Sequence, residues 1–537
     1  MTRCCLALDG VSHVLPDGRA LFSGLTERFD RQPTGLVGRN GVGKTLLARM
    51  LAGELQPTAG RCVRSGSVHY LAQQVSPPAG LTVAGLAGVQ ATLDALGRIE
   101  AGCGTSGDFD AVGARWDTPV RLRLELQRIG LGHLDSATPV AVLSGGEAMR
   151  VALAGAFLSG ADFLILDEPT NHLDRNNRQA LIEQLQRWQR GVLVVSHDRQ
   201  LLETMVRIVE LSSLGLRSYG GNYSFYAQCK ELERQHAQQQ LEQRKGERQR
   251  EEQMQRELRE RQERRQARGN RQAHAANQAP ILLGRRKGRS EVTAGKLRQQ
   301  HAEARERMAR RVREAAQQVE EHREIVLHPL AVDLPPQRRI AELVAVELPF
   351  VTSATRHVDL LLTGQQRVGI VGPNGCGKST LLKVLARKLQ PVAGRCKIYV
   401  EGVYLDQCLA TLDPQRSVLD QMQRANSLTD AGELRMRLAQ LGLDAGAITV
   451  PSGLLSGGER LKAALACALH ADPPPSLLLL DEPGNHLDLA SLRALECMLD
   501  GYRGALVVVS HDDAFMNQLA LTHRLRAGAQ GWRMEPW

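Results

Sequence analysis

Short apolar runs alternate with longer stretches of helical character along most of the chain. Runs such as VGIVG, LLLLDEP and ALVVVSH are dominated by Val, Ile and Leu. An apolar run of this length indicates a buried strand, and alternation of such strands with helices indicates βαβ units. The pattern therefore predicts an α/β fold with mixed, largely parallel sheets and accompanying helical subdomains.

The segment 230–324 has a different pattern. It is rich in Gln, Glu, Arg and Ala, nearly free of Val, and contains one proline, Pro280. This composition favours long solvated helices, which proline and glycine near the middle of the segment break. We expect two long antiparallel helices joined by a loop. The first, near 224–277, would span roughly 80 Å at about 1.5 Å per residue if Gly246 and Gly269 do not interrupt it. The alternative is a disordered charged linker.

Four sequence motifs occur twice, in the same order, on either side of this segment. They are VGRNGVGKT and VGPNGCGKS, LSGGE twice, LILDEPTNHLD and LLLDEPGNHLD, and VLVVSHD and LVVVSHD. An ordered internal repeat of this kind indicates two copies of one domain. We therefore expect a first domain at 1–225, a helical-hairpin linker at 226–330 and a second domain at 331–537.

The first copy is longer than the second. Lys44 and Ser144 are 100 residues apart, whereas the equivalent Lys378 and Ser456 are 78 apart. The first copy thus carries 22 additional residues, within 74–142. They form either a short functional appendage or a longer loop.

The net charge of +10 is concentrated in the middle segment. Residues 230–324 contain 25 Lys or Arg and 16 Asp or Glu, and 264–290 contain eight basic residues and no acidic one. Such clustering favours a polyanionic partner such as RNA, although a solvated basic surface would give the same total. The RNA-binding candidates are Arg264, Arg265, Arg268, Arg271, Arg285, Arg286, Lys287 and Arg289. The apolar residues 280–283 among them either pack the turn or reach toward the partner.

The remaining composition excludes several classes of protein. Aromatic residues are only 4% of the chain, so the cores should be aliphatic. The ten cysteines show no CxxC or zinc-knuckle spacing, which favours reduced thiols in a cytoplasmic protein. We find no signal-peptide pattern and no apolar window of about 18 uncharged residues, so we expect no membrane span.

Each copy contains the pattern GxxxxGK[ST] after a predicted strand. Its glycines allow consecutive backbone N–H groups to surround the β- and γ-phosphates of a nucleotide at a helix N-terminus. The lysine adds positive charge, and the hydroxyl of Thr45 or Ser379 is a ligand for Mg²⁺. The predicted phosphate-loop residues are Gly38, Asn40, Gly41, Gly43, Lys44, Thr45, Gly372, Asn374, Gly375, Gly377, Lys378, Ser379 and Thr380.

A second element of the phosphate site follows in both copies. The apolar runs end in Asp167 and Asp481, which we expect to hold Mg²⁺ through water. The next residue, Glu168 or Glu482, can orient and polarise the attacking water. The alternative is that each of these glutamates forms a surface ion pair.

A histidine, His197 or His511, ends another apolar strand at the same place in each copy. We expect it to contact the γ-phosphate and help position the water. A single histidine in such a place would more often be a core residue, but the repeat favours the functional assignment.

The motif LSGGE between a phosphate loop and a DEP element resembles the ATP-binding cassette ATPases. The resemblance covers both copies, so we call 1–225 the first cassette and 331–537 the second. It implies that two ATP molecules are sandwiched head to tail, each facing the signature residues of the opposite cassette. The residues implied are Ser144, Gly145, Gly146, Ser456, Gly457 and Gly458, together with the Mg²⁺-reaching glutamines Gln73 and Gln407.

Finer features resemble the F subfamily, the ABC-F proteins. They are the tandem cassettes, the NHLD after DEP, the sequence YGGNYSFY at 219–226 and the charged linker that follows it. This resemblance implies a monomer that binds the ribosome at the tRNA exit site, with its linker reaching toward the peptidyl-transferase centre and P-site tRNA. Both general translation factors and antibiotic-resistance factors have this architecture.

The two copies also differ within their motifs. Gly484 replaces Thr170, and Leu46 replaces the hydroxyl present as Thr380. Phe350 is the candidate for an adenine-stacking aromatic in the second copy. We therefore expect two ATP sites of unequal activity.

Two other functions remain open from the sequence. The chain could be the energising subunit of a separate membrane transporter, or a cassette ATPase that acts on DNA. The first leaves the basic linker unexplained, and in the second class inserted helices usually interrupt a cassette rather than separate two complete ones.

Overall fold

The computed structural model describes residues 5–74, 80–171, 173–275, 299, 303, 306–313, 335–352, 354–406, 411–443, 445–485 and 487–537. The chain divides into two compact units. One contains Met1–Tyr226 with Ile325–Trp537, and the other is Ala227–Glu324.

The strands follow one another in the same order in both cassettes. They are β1 (Cys5–Val14), β2 (Ala20–Phe29), β3 (Thr34–Gly38), β4 (Ala59–Ser65), β5 (Val68–Leu71), β6 (Phe163–Asp167), β7 (Gly191–Val195), β8 (Arg207–Ser212), β9 (Gly215–Gly220), β10 (Arg339–Glu347), β11 (His357–Thr363), β12 (Arg367–Val371), β13 (Ala393–Ile398), β14 (Gly402–Leu405), β15 (Leu477–Asp481), β16 (Ala505–Val509), β17 (His523–Gly528) and β18 (Gly531–Pro536).

The helices lie between these strands and in the linker. They are α1 (Lys44–Ala52), α2 (Val83–Leu86), α3 (Gln90–Glu100), α4 (Ser106–Val112), α5 (Thr118–Arg128), α6 (Gly145–Leu158), α7 (Arg175–Arg187), α8 (Arg199–Glu203), α9 (Tyr223–Ala275), α10 (306–313), α11 (Lys378–Leu385), α12 (Val418–Ala425), α13 (Ala431–Gln440), α14 (Gly457–Leu469), α15 (Leu489–Asp500) and α16 (Asp513–Gln518). Short 3₁₀ helices cover Val140–Val142, Ala354–Arg356 and Ser452–Leu454.

Each cassette contains one six-stranded sheet and one three-stranded sheet. The large sheets have the orders β5-β6-β7-β3-β8-β9 and β14-β15-β16-β12-β17-β18. Their strands pair in parallel except for the antiparallel edge strands β9 and β18. The small sheets β2-β1-β4 and β11-β10-β13 are antiparallel. The predicted α/β fold with mixed, largely parallel sheets is confirmed.

The central strands are buried along their whole length. Every residue of β6, β7, β15 and β16 is buried. In the first cassette, one face of the large sheet packs against α1 and the small sheet in a single core. The cores around them consist mostly of Leu, Val, Ile and Ala, as the low aromatic content predicted. Truncating one such leucine to alanine would cost about 2–5 kcal/mol of unfolding free energy.

The 22 additional residues of the first cassette correspond to the helical pair α3 and α4. The second cassette passes directly from α12 to α13, the counterparts of α2 and α5. Asp108 joins the pair, because it accepts hydrogen bonds from Arg98 in α3 and from the N-cap residue Thr105. The insertion is therefore a folded element, not a longer loop.

The first linker helix, α9, has 53 residues and continues through Gly246 and Gly269. Ion pairs three or four residues apart, such as Arg244 with Glu247, run along its surface. The pKa of Glu247 is lowered by its hydrogen bond with Arg244 and also by the charge of Arg311 in α10, so Glu247 and Arg311 lie near each other. The first predicted helix is confirmed, whereas the loop at its end, with residues 280–283, lies outside the described residues.

Among the described residues, no helix is both long enough and apolar enough to span a bilayer.

Candidate functional site

The two phosphate loops connect a central strand to a helix, β3 to α1 and β12 to α11. The helices begin after Gly43 and Gly377, whose φ angles are 102° and 94°. A Cβ on these glycines would lie 2.5 Å from Leu21 Cδ2 and 2.7 Å from Val351 Cγ2. Glycine is favoured here for two reasons. L-residues rarely adopt a backbone with this positive φ, and an added Cβ would clash with the neighbouring side chain.

The lysines of both loops make the same contacts. Lys44 Nζ donates to the carbonyl oxygens of Gly38 at 2.8 Å and Arg39 at 3.0 Å. Lys378 Nζ makes the equivalent bonds at 2.8 Å and 3.0 Å. Each ammonium has three donors, so one is left for a phosphate oxygen. The remaining predicted loop residues lie at the strand ends, in the loops or in the first helical turns: Gly38, Asn40, Gly41, Thr45, Gly372, Asn374, Gly375, Ser379 and Thr380.

Asp167 and Asp481 end β6 and β15 beside these loops. Ser379 Oγ donates to Asp481 Oδ1 at 3.1 Å, which joins the phosphate loop to the carboxylate. Burial raises the pKa of both aspartates, and hydrogen bonds from nearby hydroxyls oppose the shift. A hydroxyl and a carboxylate side by side form the oxygen donor set that suits Mg²⁺.

Two tyrosines hold these aspartates and were missed in the sequence. Tyr70 OH donates to Asp167 Oδ2 at 3.2 Å, and Tyr404 OH donates to Asp481 Oδ2 at 3.0 Å. The internal repeat could have identified them, because Tyr70 and Tyr404 occupy the same place in the two copies, three residues before Gln73 and Gln407.

Glu168 and Glu482 have a positive φ of 49°, which is unusual for a residue other than glycine. Their backbone N–H groups donate to the carbonyls of Val195 and Val509, which fixes this turn. Both residues are buried, at 9% and 8% exposure. Burial raises the pKa of both carboxyls, to about 7 in Glu482, with the phosphate-loop lysines opposing the shift. Strained backbone and a raised pKa together are typical of a functional carboxylate.

The two histidines face these glutamates. His197 Nε2 lies 3.5 Å from Glu168 Oε1, and His511 Nε2 lies 3.5 Å from Glu482 Oε1. His511 Nε2 also lies 3.2 Å from Asn374 Oδ1 of the phosphate loop. Burial lowers the pKa of each imidazole to about 3, so both rings are neutral near pH 7.

The two LSGGE motifs form helix N-caps. Ser144 Oγ accepts from Glu147 N at 3.3 Å, and Glu147 Oε2 accepts from Ser144 N at 2.8 Å. Ser456 and Glu459 repeat this capping box at the start of α14. The S-x-x-E spacing is a known capping signal, and the role of its glutamate was missed in the sequence. The signature glycines Gly145, Gly146, Gly457 and Gly458 form the first turns of α6 and α14.

Two aspartates of the NHLD sequences contact the opposite phosphate loop. Asp488 Oδ2 accepts from Asn40 N at 2.8 Å, and Asp174 Oδ2 accepts from Asn374 N at 3.5 Å. Each of these aspartates also caps its own helix, α15 or α7, through its other oxygen. The two cassettes therefore meet head to tail, as the resemblance implied.

The signature helix of the second cassette also lies near the first phosphate loop. The pKa of Lys462 in α14 is lowered by burial and by the like charge of Arg39. Gln73 is half-buried just after β5, whereas Gln407 lies outside the described residues.

The RNA-binding candidates are only partly described. Arg264 and Arg268 are exposed on α9, and Arg265 and Arg271 belong to the same helix. Arg285, Arg286, Lys287 and Arg289 lie outside the described residues. No cluster of potential metal-ligating side chains occurs in the part of the chain that the structure describes.

Known proteins match this chain over both cassettes. A family model described as ABC transporter matches residues 29–171 and 355–485. The tylosin resistance ATP-binding protein TlrC of Streptomyces fradiae is 32% identical over 563 residues, covering 96% of this chain and 98% of that protein. The energy-dependent translational throttle protein EttA of Mycobacterium tuberculosis is 29% identical over 524 residues, covering 91% and 85%.

A solved structure shares the fold. The archaeal ribosome recycling factor aABCE1, in complex with the stalk protein aP1, superposes with a TM-score of 0.55 at 17% identity, covering 98% of this chain and 89% of that one. The family match and the similarity to full-length relatives show that the chain belongs to the ABC-F group of the ATP-binding cassette family and is an ATP-hydrolysing enzyme.

Proposed function

We propose that the protein is an ATP-driven factor that binds the ribosome and acts on translation. The observation that carries this proposal is the similarity along nearly the whole chain to two proteins, one named for tylosin resistance and one for throttling translation. The concentration of positive charge in 230–324 supports it, because basic residues neutralise RNA phosphates and release their counterions.

The proposed organisation has three parts. Residues 1–225 and 331–537 are the two cassettes of a cytoplasmic monomer, and 226–330 is the linker. The linker reaches from the tRNA exit site toward the peptidyl-transferase centre and P-site tRNA. Its basic residues contact RNA phosphates in this proposal.

Each proposed ATP site combines residues of both cassettes. In the first site, Lys44, Asp167, Glu168 and His197 face the signature residues after Leu455. In the second, Lys378, Asp481, Glu482 and His511 face those after Leu143. The contacts of Asp488 and Asp174 with the opposite phosphate loops support this pairing.

The residues present fit a bound Mg²⁺. Thr45, Asp167 and Gln73 would hold it in the first site, and Ser379, Asp481 and Gln407 in the second. When bound, Mg²⁺ neutralises charge on the β- and γ-phosphate oxygens. The glutamate beside each aspartate accepts a proton from the attacking water, and the neutral histidine helps to orient that water.

Hydrolysis then controls the shape of the protein. ATP contacts both cassettes at once and stabilises the closed form, so its loss allows them to separate. A protein held closed should remain on its partner.

The double variant Glu168→Gln with Glu482→Gln tests the proposal. With ATP it should remain in the ribosome fraction during sedimentation and stop translation. The matched control, Lys44→Ala with Lys378→Ala, cannot hold the phosphates and should stay unbound. Recovery of the trapped variant only in membrane or DNA fractions would contradict the proposal and favour a transporter subunit or a DNA-acting ATPase.

The two possible roles of such a factor differ in a simple assay. A resistance factor raises the tolerance of cells to particular ribosome inhibitors, whereas a general translation factor does not. A panel that includes tylosin, compared with and without the protein, distinguishes them.

A further inference from the structure

A cavity of about 140 Å³ lies in the first cassette between the edge strand β5 and the helices α3, α5 and α6. Buried residues such as Ala87 and Val89 line its interior, and exposed residues such as Gly88 open it to solvent. A space of this size holds about ten water molecules or a small organic molecule. None of its lining residues belongs to the two ATP sites, so it is a separate cavity.

The charged side chains of this cavity are all cationic. Arg115 and Arg121 line it, and none of the lining side chains carries a carboxylate. Arg115 Nη2 donates to the carbonyl oxygen of Ala111 at 2.6 Å. This is the only hydrogen bond or ion pair that either guanidinium makes among the residues that the structure describes. Each guanidinium has five N–H donors and stays charged, so both can bind an anion.

Two polar side chains inside the cavity also lack partners within the described part of the chain. Thr92 of α3 is only 4% exposed, and its hydroxyl makes no hydrogen bond there. His69 of β5 is half-buried and likewise makes none through its ring. Burial lowers the pKa of His69, so the ring is neutral near pH 7 and offers one donor and one acceptor. A buried polar group without a partner destabilises the fold, and a ligand that bonds to it removes this cost.

The second cassette has paired side chains at the equivalent positions. The repeat aligns Arg121 of α5 with Glu433 of α13, at the offset that also relates the two LSGGE motifs. Glu433 Oε1 accepts from Arg437 Nη2 at 2.6 Å, and Arg437 Nη1 lies 3.4 Å from His470 Nδ1. His470 stands where the first cassette has Leu158, another lining residue of the cavity. The positive charge in the first cassette is therefore not a property of the repeated domain but belongs to this copy.

We propose that this cavity binds a small anion that carries a carboxylate or a phosphate group. Arg115 and Arg121 hold the anionic group through charge-assisted hydrogen bonds, for which the forked geometry of a guanidinium is suited. The hydroxyl of Thr92 and the ring of His69 bond to oxygen atoms deeper in the cavity. The buried apolar residues beside them leave room for a short carbon skeleton.

The test titrates the full chain with two probes, succinate and inorganic phosphate, by isothermal titration calorimetry. The chain carries Lys44→Ala and Lys378→Ala, so that the phosphate loops do not compete for the probes. We expect saturable binding of one or both at millimolar concentrations, and the tighter probe identifies the preferred anionic group. Arg121→Gln should weaken binding about tenfold or more, and Thr92→Val several-fold, because each removes a hydrogen bond to the anion. Arg123→Gln, exposed on the same helix but outside the cavity, is the matched control and should leave binding unchanged.

Absence of saturable binding for both probes would overturn the inference, and so would an equal effect of Arg121→Gln and Arg123→Gln. No effect of Thr92→Val would also overturn it, because the anion would then lie on surface arginines and not in the cavity. Binding of a short oligouridylate but of neither small probe would replace it with an RNA contact. If Arg121→Gln does not fold, Arg115→Gln provides the same comparison. The inference does not rest on the proposed role in translation, because the measurement needs neither ribosomes nor ATP.

Discussion

Arg199 of the first cassette and Glu496 of the second form a two-pronged ion pair, with Nη1–Oε1 and Nη2–Oε2 distances of 2.7 Å and 3.2 Å. Both side chains are almost buried, at 11% and 12% exposure. The repeat places Asp513 and Ile182 at the equivalent positions, so the pair has no symmetric copy.

Breaking this pair should weaken closure of the cassettes. Arg199→Ala leaves Glu496 buried without its partner, which typically costs about 3–5 kcal/mol. We expect a higher KM for ATP and a lower unfolding free energy, measured by denaturant titration with and without ATP. Arg49→Ala, which breaks the exposed pair with Glu54, is the control. It should change the unfolding free energy by no more than about 1 kcal/mol and leave the KM for ATP unchanged. An equal effect of both substitutions would show that the interface pair does not contribute to closure.

The tyrosines beside the aspartates should affect the use of Mg²⁺. Tyr404→Phe removes a hydrogen bond to a carboxylate, and such bonds contribute about 1.5–3 kcal/mol. We expect roughly tenfold more Mg²⁺ to be needed for half-maximal ATPase in the Glu168→Gln background. Tyr399→Phe is the matched control, since its hydroxyl donates to the surface residue Glu342. An unchanged Mg²⁺ dependence in Tyr404→Phe would exclude this role.

Phe350 should stack on the adenine of the second site. Its side chain is 90% exposed and its φ is 64°, so neither packing nor backbone preference explains an aromatic there. Removing a base-stacking aromatic costs about 1–3 kcal/mol, so Phe350→Ala should raise the KM for ATP roughly tenfold in the Glu168→Gln background. The exposed Phe225 is the control. Equal KM values for the parent and Phe350→Ala would refute the assignment.

Turnover in the second site should increase as pH rises through about 7. Glu482 is a base only when ionised, and its pKa is raised to about 7 by burial. The two histidines titrate near pH 3 and should add no step between pH 5 and 9. The profile is measured in the Glu168→Gln background. A flat profile over pH 6–8 would mean that Glu482 is not the titrating base.

The raised pKa of Glu482 also predicts how the unfolding free energy depends on pH. The folded state binds the proton of Glu482 more tightly than the unfolded state, so this group favours folding at low pH, and the contribution is lost as pH rises from about 4.5 to 7. Glu482→Gln should therefore flatten the decline of unfolding free energy over this range. If the unfolding free energy of Glu482→Gln depends on pH in the same way as that of the parent, the raised pKa of Glu482 is contradicted.

The linker loop should contribute salt-dependent affinity. Replacing Arg285, Arg286 and Lys287 with Ala should weaken ribosome binding, most strongly at low salt, and reduce the slope of log affinity against log salt by about 2 to 3. The basal ATPase should be unchanged, and loss of it would assign the loop a structural role. Arg121→Ala with Arg123→Ala, exposed on α5, is the control.

Much of the fold could be predicted because the information is local. The buried strands β6 and β15 follow from unbroken apolar runs, and the start of α1 and α11 follows from the glycines of the phosphate loops. The continuous helix α9 follows from a composition of strong helix formers, which outweighs two glycines.

The features that were missed depend on contacts between distant segments. Tyr70 reaches Asp167 only because β5 pairs in parallel with β6, a register that neither strand specifies alone. The extra residues of the first cassette were located, but the pairing of α3 with α4 rests on Arg98 and Asp108.

The head-to-tail contacts of Asp488 and Asp174 join each phosphate loop to the N-terminus of a helix in the opposite cassette. Each aspartate bonds the loop backbone through one carboxylate oxygen and caps its own helix through the other. A shift of either phosphate loop is therefore transmitted directly to a helix of the other cassette, which couples the two ATP sites mechanically.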